Sequence, residues 1–361
     1  LKDGQVTYSD AVLANLIALN GGKTTGGKVV TDVATMRQII GGKSTISADE
    51  GALTGTINGV DRNFKMPQVW KTSLAVDYQV PVDFPMTITA EGMFTKTIYG
   101  TRLMDWNIND SKISESNRFA GADNRYNFRN LDYTYGKYTA YVLTNTNKGW
   151  GYTANITINA TPVKYLDVMA AYTHTASYEI SGMPGSDASS AFTYIPTVEG
   201  PNHAPLHNSQ YVEPDRWYVN LTYSDRSNNH FSAFLESWRG GANYTYMYAN
   251  DINNDNYAYD VIYIPRDESE IKFVSTDDET RFWAYMSNDS YLSKHKGQYA
   301  EAYSVYSPWV TRLDLRFTHD FKVKVGNSTN RLQLVADLKN ALNLFNPSWG
   351  VAKYMNPALN S

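Results

Sequence analysis

The sequence predicts an all-β protein, a transmembrane antiparallel β-barrel with long extracellular loops that contain short helices. Four tryptophans, Trp70, Trp150, Trp217 and Trp309, each open a run of alternating apolar and polar residues. Successive side chains of a strand point to opposite faces, so each run has one apolar and one polar face. Short turns also alternate with long connections, an asymmetry typical of outer-membrane barrels.

Eight strands follow one another as four hairpins. They are predicted at 68–79, 86–97, 150–160, 165–175, 216–224, 230–238, 309–321 and 331–342. The turns inside the hairpins are rich in Pro, Gly, Asn and Asp, which is the usual chemistry of tight turns. The connections 99–147, 177–212 and 239–307 are several times longer than a hairpin loop. With the long loops outside, the four tryptophans form an aromatic belt at the extracellular rim.

Two places outside the strands show helix signals. In the third long connection, Ser275 followed by Asp278 and Glu279 predicts a helix start, and a second short helix is expected over 289–295, ending near Gly297. Near the beginning of the chain, 11–19 predicts a short amphipathic helix capped by Ser9.

Composition excludes several classes of protein. The 361 residues carry 32 Lys and Arg against 36 Asp and Glu without a block of one sign, so a nucleic-acid partner is not expected. Cysteine is absent, which excludes disulfides and thiolate metal sites. No stretch approaches the roughly 18 to 20 consecutive apolar residues of a membrane helix. A soluble β-sandwich or propeller, whose strands also alternate, is the alternative fold.

One segment has the spacing of a calcium loop. Asp251, Asn253, Asp255 and Asp260 place oxygen side chains at positions 1, 3, 5 and 10, and the carbonyl of Tyr257 stands at position 7. Calcium is therefore the candidate cofactor. The alternative is an Asx-rich turn without a metal, since Asn and Asp stabilise turns unaided.

The sequence contains no recognisable catalytic motif, and we predict no enzyme activity. The serines lack the G-x-S-x-G context, and the histidines, among them His230 and His319, are scattered. Tyrosines of the loops, such as Tyr244, Tyr246 and Tyr248, fit either ligand stacking or ordinary packing. A set of charges is expected to face the barrel lumen: Lys71, Asp77, Glu91, Asp167, Arg312, Asp314, Arg316, Asp337 and Lys339.

Six segments together resemble a known family. They are 66–74 (MPQVWKTSL), 144–154 (TNTNKGWGYTA), 172–176 with 182–185 (YTHTA, GMPG), 251–265, 307–316 (SPWVTRLDLR) and 340–346 (NALNLFN). The combination resembles the TonB-dependent receptors of Bacteroidetes, in particular the Oar-like branch, which is related to the SusC-like transporters. The resemblance covers nearly the whole chain.

The family implies a barrel of 22 antiparallel strands in the outer membrane of a Gram-negative bacterium, with an N-terminal plug and a TonB box. Residues 1–361 show no plug and no final strand. We therefore expect them to be the C-terminal part of the barrel, strands fourteen to twenty-one. The implied function is to form the barrel wall and extracellular vestibule for uptake of a large nutrient, such as a glycan, a peptide or a chelate.

The same resemblance implies a set of partners. Membrane lipid surrounds the barrel, TonB acts through the missing N-terminal part, and a surface lipoprotein can serve as a lid over the extracellular nutrient ligand. Two alternatives remain open at this point. One is a small closed outer-membrane barrel that acts as an adhesin or structural protein, and the other is a barrel enzyme.

Overall fold

One large antiparallel sheet contains most of the strands of this protein. The computed structural model describes residues 56–110, 117–128, 133–134, 139–239 and 243–353. Its strands are β1 (Ile57–Val60), β2 (Gln68–Gln79), β3 (Met86–Asp105), β4 (Ala140–Thr146), β5 (Trp150–Val163), β6 (Leu166–Glu179), β7 (His207–Asn208), β8 (Asp215–Ser224), β9 (Asn229–Arg239), β10 (Tyr263–Ile264), β11 (Gln298–Tyr299), β12 (Trp309–Val325) and β13 (Ser328–Leu338).

The eight long strands pair in chain order. The sheet runs β2-β3-β5-β6-β8-β9-β12-β13, with every one of these pairs antiparallel, and the four predicted hairpins are confirmed. Short β4 extends the sheet beside the far end of β3, and β1 pairs with β4 in parallel. Among the described strands, β2 and β13 each have one neighbour, so the sheet is open at both edges.

The register sorts side chains into one apolar and one polar face, as the alternation predicts. Ile156 of β5 lies opposite Ala90 of β3 and Tyr172 of β6. Tyr172 in turn lies opposite Trp217 of β8, and the same phase continues across β9, β12 and β13. Residues one position away, such as Asn155 opposite Glu91 and Thr173, form the polar face. All four tryptophans belong to the apolar face.

The prediction that 99–147 is one long connection is wrong in part. β3 continues to Asp105, and β4 pairs with this extension from Gly100 to Asp105. Here Leu103 and Asp105, which are two residues apart and therefore on the same face, are both buried, while Met104 between them is half-buried. Because the buried face carries an aspartate as well as a leucine, apolar and polar residues do not alternate as in the other strands, and the sequence gives no strand signal.

The last strand is shorter than predicted. β13 ends at Leu338 rather than at 342, and Ala341–Leu344 forms a 3-10 helix. Asn340 has a φ of 50°, in the left-handed region, and its backbone N–H donates to Asp314 Oδ1 over 2.8 Å. This turn terminates the strand although apolar residues continue beyond it.

The connection between β9 and β12 folds as a cap with its own core. The protein has helix α1 at Ala188–Thr193, between β6 and β7, and helix α2 at Thr276–Asn288, which belongs to the cap. The predicted start is confirmed, since the Ser275 side chain accepts the Asp278 N–H. The second predicted helix is only a 3-10 turn, Leu292–Lys294. The cap core consists of Val261, Ile264, Met286, Leu292 and Ala300.

The helix predicted at 11–19 lies outside the described residues. Among those that are described, no helix has the length and apolarity needed to cross a bilayer.

Candidate calcium site

Three carboxylates of the predicted calcium loop come together within the cap. Oxygens of Asp251, Asp255 and Asp260 all lie within 4.8 Å of one another. Asp255 and Asp260 are buried, and Asp251 is half-buried. The structure thus brings together all the carboxylates that the spacing singled out, in a loop that precedes β10.

Asp251 and Asp255 also stabilise the turn through hydrogen bonds that need no metal. Asp251 accepts the backbone N–H groups of Asn254 and Asn256 over 2.7 and 2.8 Å. Asp255 Oδ1 accepts the N–H of Tyr257 over 2.8 Å. These are the contacts of the metal-free turn. A carboxylate has about four lone-pair sites, so the same oxygens retain the capacity to bind a cation.

The other two predicted ligands, Asn253 and Tyr257, make contacts of their own. Asn253 Oδ1 accepts the Asp255 N–H over 2.9 Å, while its amide nitrogen faces Asp255 Oδ2 at 3.3 Å. For Tyr257 the predicted ligand is the backbone carbonyl, which leaves the side chain free to pack edge-on against Phe192 at 5.4 Å between ring centroids. Asn256 adopts a φ of 67°, so it fills the left-handed position that calcium loops give to glycine.

Burial leaves the charge of the cluster poorly compensated. Burial and the negative charge of the neighbouring Asp260 together raise the pKa of Asp255 to about 7. Burial also raises the pKa of Asp260 to about 6, against the opposing influence of Arg125. The Arg125 guanidinium is fully buried, and its Nη1 lies 3.8 Å from Asp260 Oδ1. Arg125 thus places a positive charge beside Asp260, one of the three carboxylates.

The donor set fits a hard divalent cation. All candidate ligands are oxygens, which Ca²⁺ binds at about 2.3 to 2.6 Å, and the excess negative charge favours a cation. Arg125 disfavours a bound cation, because it already supplies a positive charge at Asp260. Calcium binding therefore stays a prediction, with the self-stabilised turn as its alternative.

We expect one Ca²⁺ ion to bind the complete protein, and Asp251→Ala to abolish binding, because the variant removes one of the three converging carboxylates. Isothermal titration with CaCl₂ measures this. Asp267→Ala is the matched control, since Asp267 caps a nearby 3-10 turn through Ser269 and is outside the cluster. Equal heats for wild type and Asp251→Ala would leave the turn and remove the metal.

Without calcium, the local stability of the cap should fall as the pH rises from about 4 to about 7. In the folded state the pKa values of Asp260 and Asp255 are about 6 and 7, whereas an unfolded Asp titrates near 3.9. The folded cap thus binds more protons than the opened one in this window, so deprotonation destabilises it.

Hydrogen exchange of the amides in 251–261, corrected for intrinsic rates, measures this stability. In EDTA the protection should decrease towards pH 7, and CaCl₂ should restore it. Protection that stays constant or increases with pH in EDTA would contradict the expectation.

Several of the charges predicted to face a lumen lie on the polar face of the sheet and have partners there. Arg316 binds Asp337 through two hydrogen bonds of 2.6 and 2.8 Å, and Lys339 lies 2.9 Å from Asp314. Arg312 donates to the Gly350 carbonyl over 2.9 Å. These contacts join the charges to neighbouring strands and to the turn that follows β13.

Two of the three loop tyrosines pack within the cap. Tyr246 donates to Asp289 over 2.7 Å and stacks on Tyr291, and the Tyr248 ring covers Arg125. For these two tyrosines, the structure shows ordinary packing, one of the two interpretations that the sequence left open. Comparison with protein-family models, curated proteins and solved structures found no match to this chain.

Proposed function

We propose that this chain forms part of the wall and outer vestibule of a barrel that crosses the outer membrane and imports a large nutrient with energy from TonB. The observation that carries the proposal is the exposed apolar face of the sheet. Leu74, Ile156 and Leu332, on strands spread across it, are 74%, 52% and 62% exposed. Soluble monomers rarely expose a contiguous apolar surface of this extent. Lipid would cover it.

The tryptophans support the same orientation. Trp70, Trp217 and Trp309 are exposed on the apolar face, each near the strand end opposite the hairpin turns. Indole rings are enriched at the membrane–water interface because they combine an apolar body with a polar N–H. Next to Trp309, the Arg239 guanidinium lies 5.4 Å from the ring centre.

The polar face has the character of a wet interior. Asn155 donates to Thr173 over 2.8 Å, and Arg216 pairs with Glu236 across β8 and β9. Such cross-strand hydrogen bonds and ion pairs tolerate water on one side of the sheet, as a lumen requires. The two faces therefore suit two different solvents.

The connections at the two ends of the strands differ in length. β12 and β13 are joined by only Gly326 and Asn327, whereas the connection between β9 and β12 contains α2 and a buried core. Long folded loops on one side can capture a solute before it enters a lumen, which suits an outer vestibule. The role of TonB rests on the family resemblance of the sequence.

Shortening the cap should abolish uptake while preserving the barrel. In the parent protein, residues 243–305 are replaced by an Asn-Gly turn, because the cap core lies in this segment. Uptake of a labelled oligosaccharide, an oligopeptide and an iron chelate is measured in cells with and without TonB. We expect one of the three to depend on both TonB and the cap. Equal uptake of all three in every strain would contradict the proposal.

A further inference from the structure

A serine, a histidine and an aspartate line up on the polar face near the hairpin turns. Ser224, the last residue of β8, lies opposite His230 of β9, and its Oγ is 2.8 Å from His230 Nδ1. On the other side of the imidazole, Nε2 lies 3.6 Å from Asp320 Oδ2 in β12. Three adjacent strands thus supply one residue each.

The groups on either side of the imidazole favour one tautomer. An ionised carboxylate can only accept a hydrogen bond, so its negative charge favours the proton on Nε2, the ring nitrogen 3.6 Å from Asp320. Nδ1 then has a free lone pair and accepts the hydroxyl proton of Ser224. This is the order of a nucleophile, a base and a group that orients the base. The 3.6 Å separation is longer than a hydrogen bond, a looseness common in unliganded sites.

The surrounding contacts hold the three residues in place. Asp320 is buried and accepts from Gln333 Nε2 over 2.8 Å, and it pairs with Arg331. In the turn before His230, Asp225 accepts the N–H groups of Ser227 and Asn229 over 2.7 and 2.9 Å. The His230 side chain itself is 37% exposed. A solute on the polar face can therefore reach a fixed site.

We infer that Ser224 is an activated nucleophile that accepts acyl groups from carboxylic esters, with His230 as its base and Asp320 as a positioning residue. Ser224 Oγ bonds to the ester carbonyl carbon while its proton passes to His230 Nδ1. The acyl–oxygen bond breaks, and His230 returns the proton to the leaving alcohol. Water, deprotonated by His230, then cleaves the acyl-serine to a carboxylic acid and restores Ser224.

A fluorophosphonate probe tests this on the complete protein, since it phosphonylates only activated serines. Peptide mapping by mass spectrometry should find the label on Ser224 in the wild type. Ser232→Ala is the matched control, because Ser232 lies on the same face, one pair along, with its Oγ 3.5 Å from that of Thr222 and with no histidine partner. We expect full labelling in this control, none in Ser224→Ala, and at least a tenfold slower rate in His230→Asn.

Asp320 needs a separate comparison because it also binds Arg331. Asp320→Asn should slow labelling, and Asp320→Glu should restore part of it by returning the negative charge. No label on Ser224 in folded wild-type protein, or an unchanged rate in His230→Asn, would overturn the inference. The labelling does not depend on transport, so either proposal can fail without the other.

Discussion

Replacing Leu221 with arginine should prevent assembly of the barrel, whereas the same change at the neighbouring Asn220 should be tolerated. Leu221 belongs to the apolar face, opposite Val168 and Ala233, and Asn220 belongs to the polar face. An arginine in contact with lipid costs roughly 2 to 4 kcal/mol at the bilayer midplane and little in a water-filled lumen. The yield of heat-modifiable, folded parent protein in lipid vesicles measures the difference.

The two variants also distinguish a membrane sheet from a soluble one. Leu221 is 40% exposed, so in water an arginine there would meet solvent and assembly would be nearly unaffected. Equal folding yields for the two variants, or a lower yield for Asn220→Arg, would therefore contradict the assignment of the apolar face to lipid.

Replacing Arg125 with alanine should open the cap. Arg125 is fully buried, donates to the Val261 carbonyl over 2.8 Å and pairs with Asp123 at 2.8 Å. Its guanidinium also lies between the rings of Tyr248 and Tyr299. Removing one partner of a buried ion pair typically costs about 3 to 5 kcal/mol, because the remaining groups stay buried without compensation.

Hydrogen exchange of the amides in 244–264 should accelerate about a hundredfold or more, since each 1.4 kcal/mol is roughly a factor of ten. Arg281→Ala is the control, because this arginine of α2 is 76% exposed and pairs with Asp277, one turn away. Such a pair contributes about 0.5 kcal/mol. Similar exchange in the two variants would show that Arg125 does not hold the cap.

The sequence predicts the hairpins well because their strands have one apolar and one polar face. In β5, Ile156 and Ile158 alternate with Asn155 and Thr157, a pattern that only a sheet with two different sides produces. The extension of β3 and the pairing of β4 escape prediction for the opposite reason. Leu103 and Asp105 lie on the same face and are both buried, so that one face carries an apolar and a charged residue and the sequence shows no apolar–polar alternation there.

In the candidate sites, the sequence indicates contacts between residues that are close in the chain but not contacts between distant residues. Asp251, Asp255 and Asp260 meet because they share one turn, which spacing alone indicates. Arg125 is more than a hundred residues away, and nothing near it in the sequence points to Asp260. Ser224 and His230 flank one hairpin turn, so their pairing follows from its register, but Asp320 joins them only through the pairing of β9 with β12.

The chain-order pairing of the long strands has a kinetic consequence. Each long strand after β2 pairs with the long strand before it, so the sheet can grow one hairpin at a time without threading or a distant search. The cap adds little to the entropic cost of this growth, because the cost of loop closure rises only with the logarithm of loop length. The growing edge is always the most recent strand. A delay at any hairpin would leave that edge able to recruit a strand from another chain.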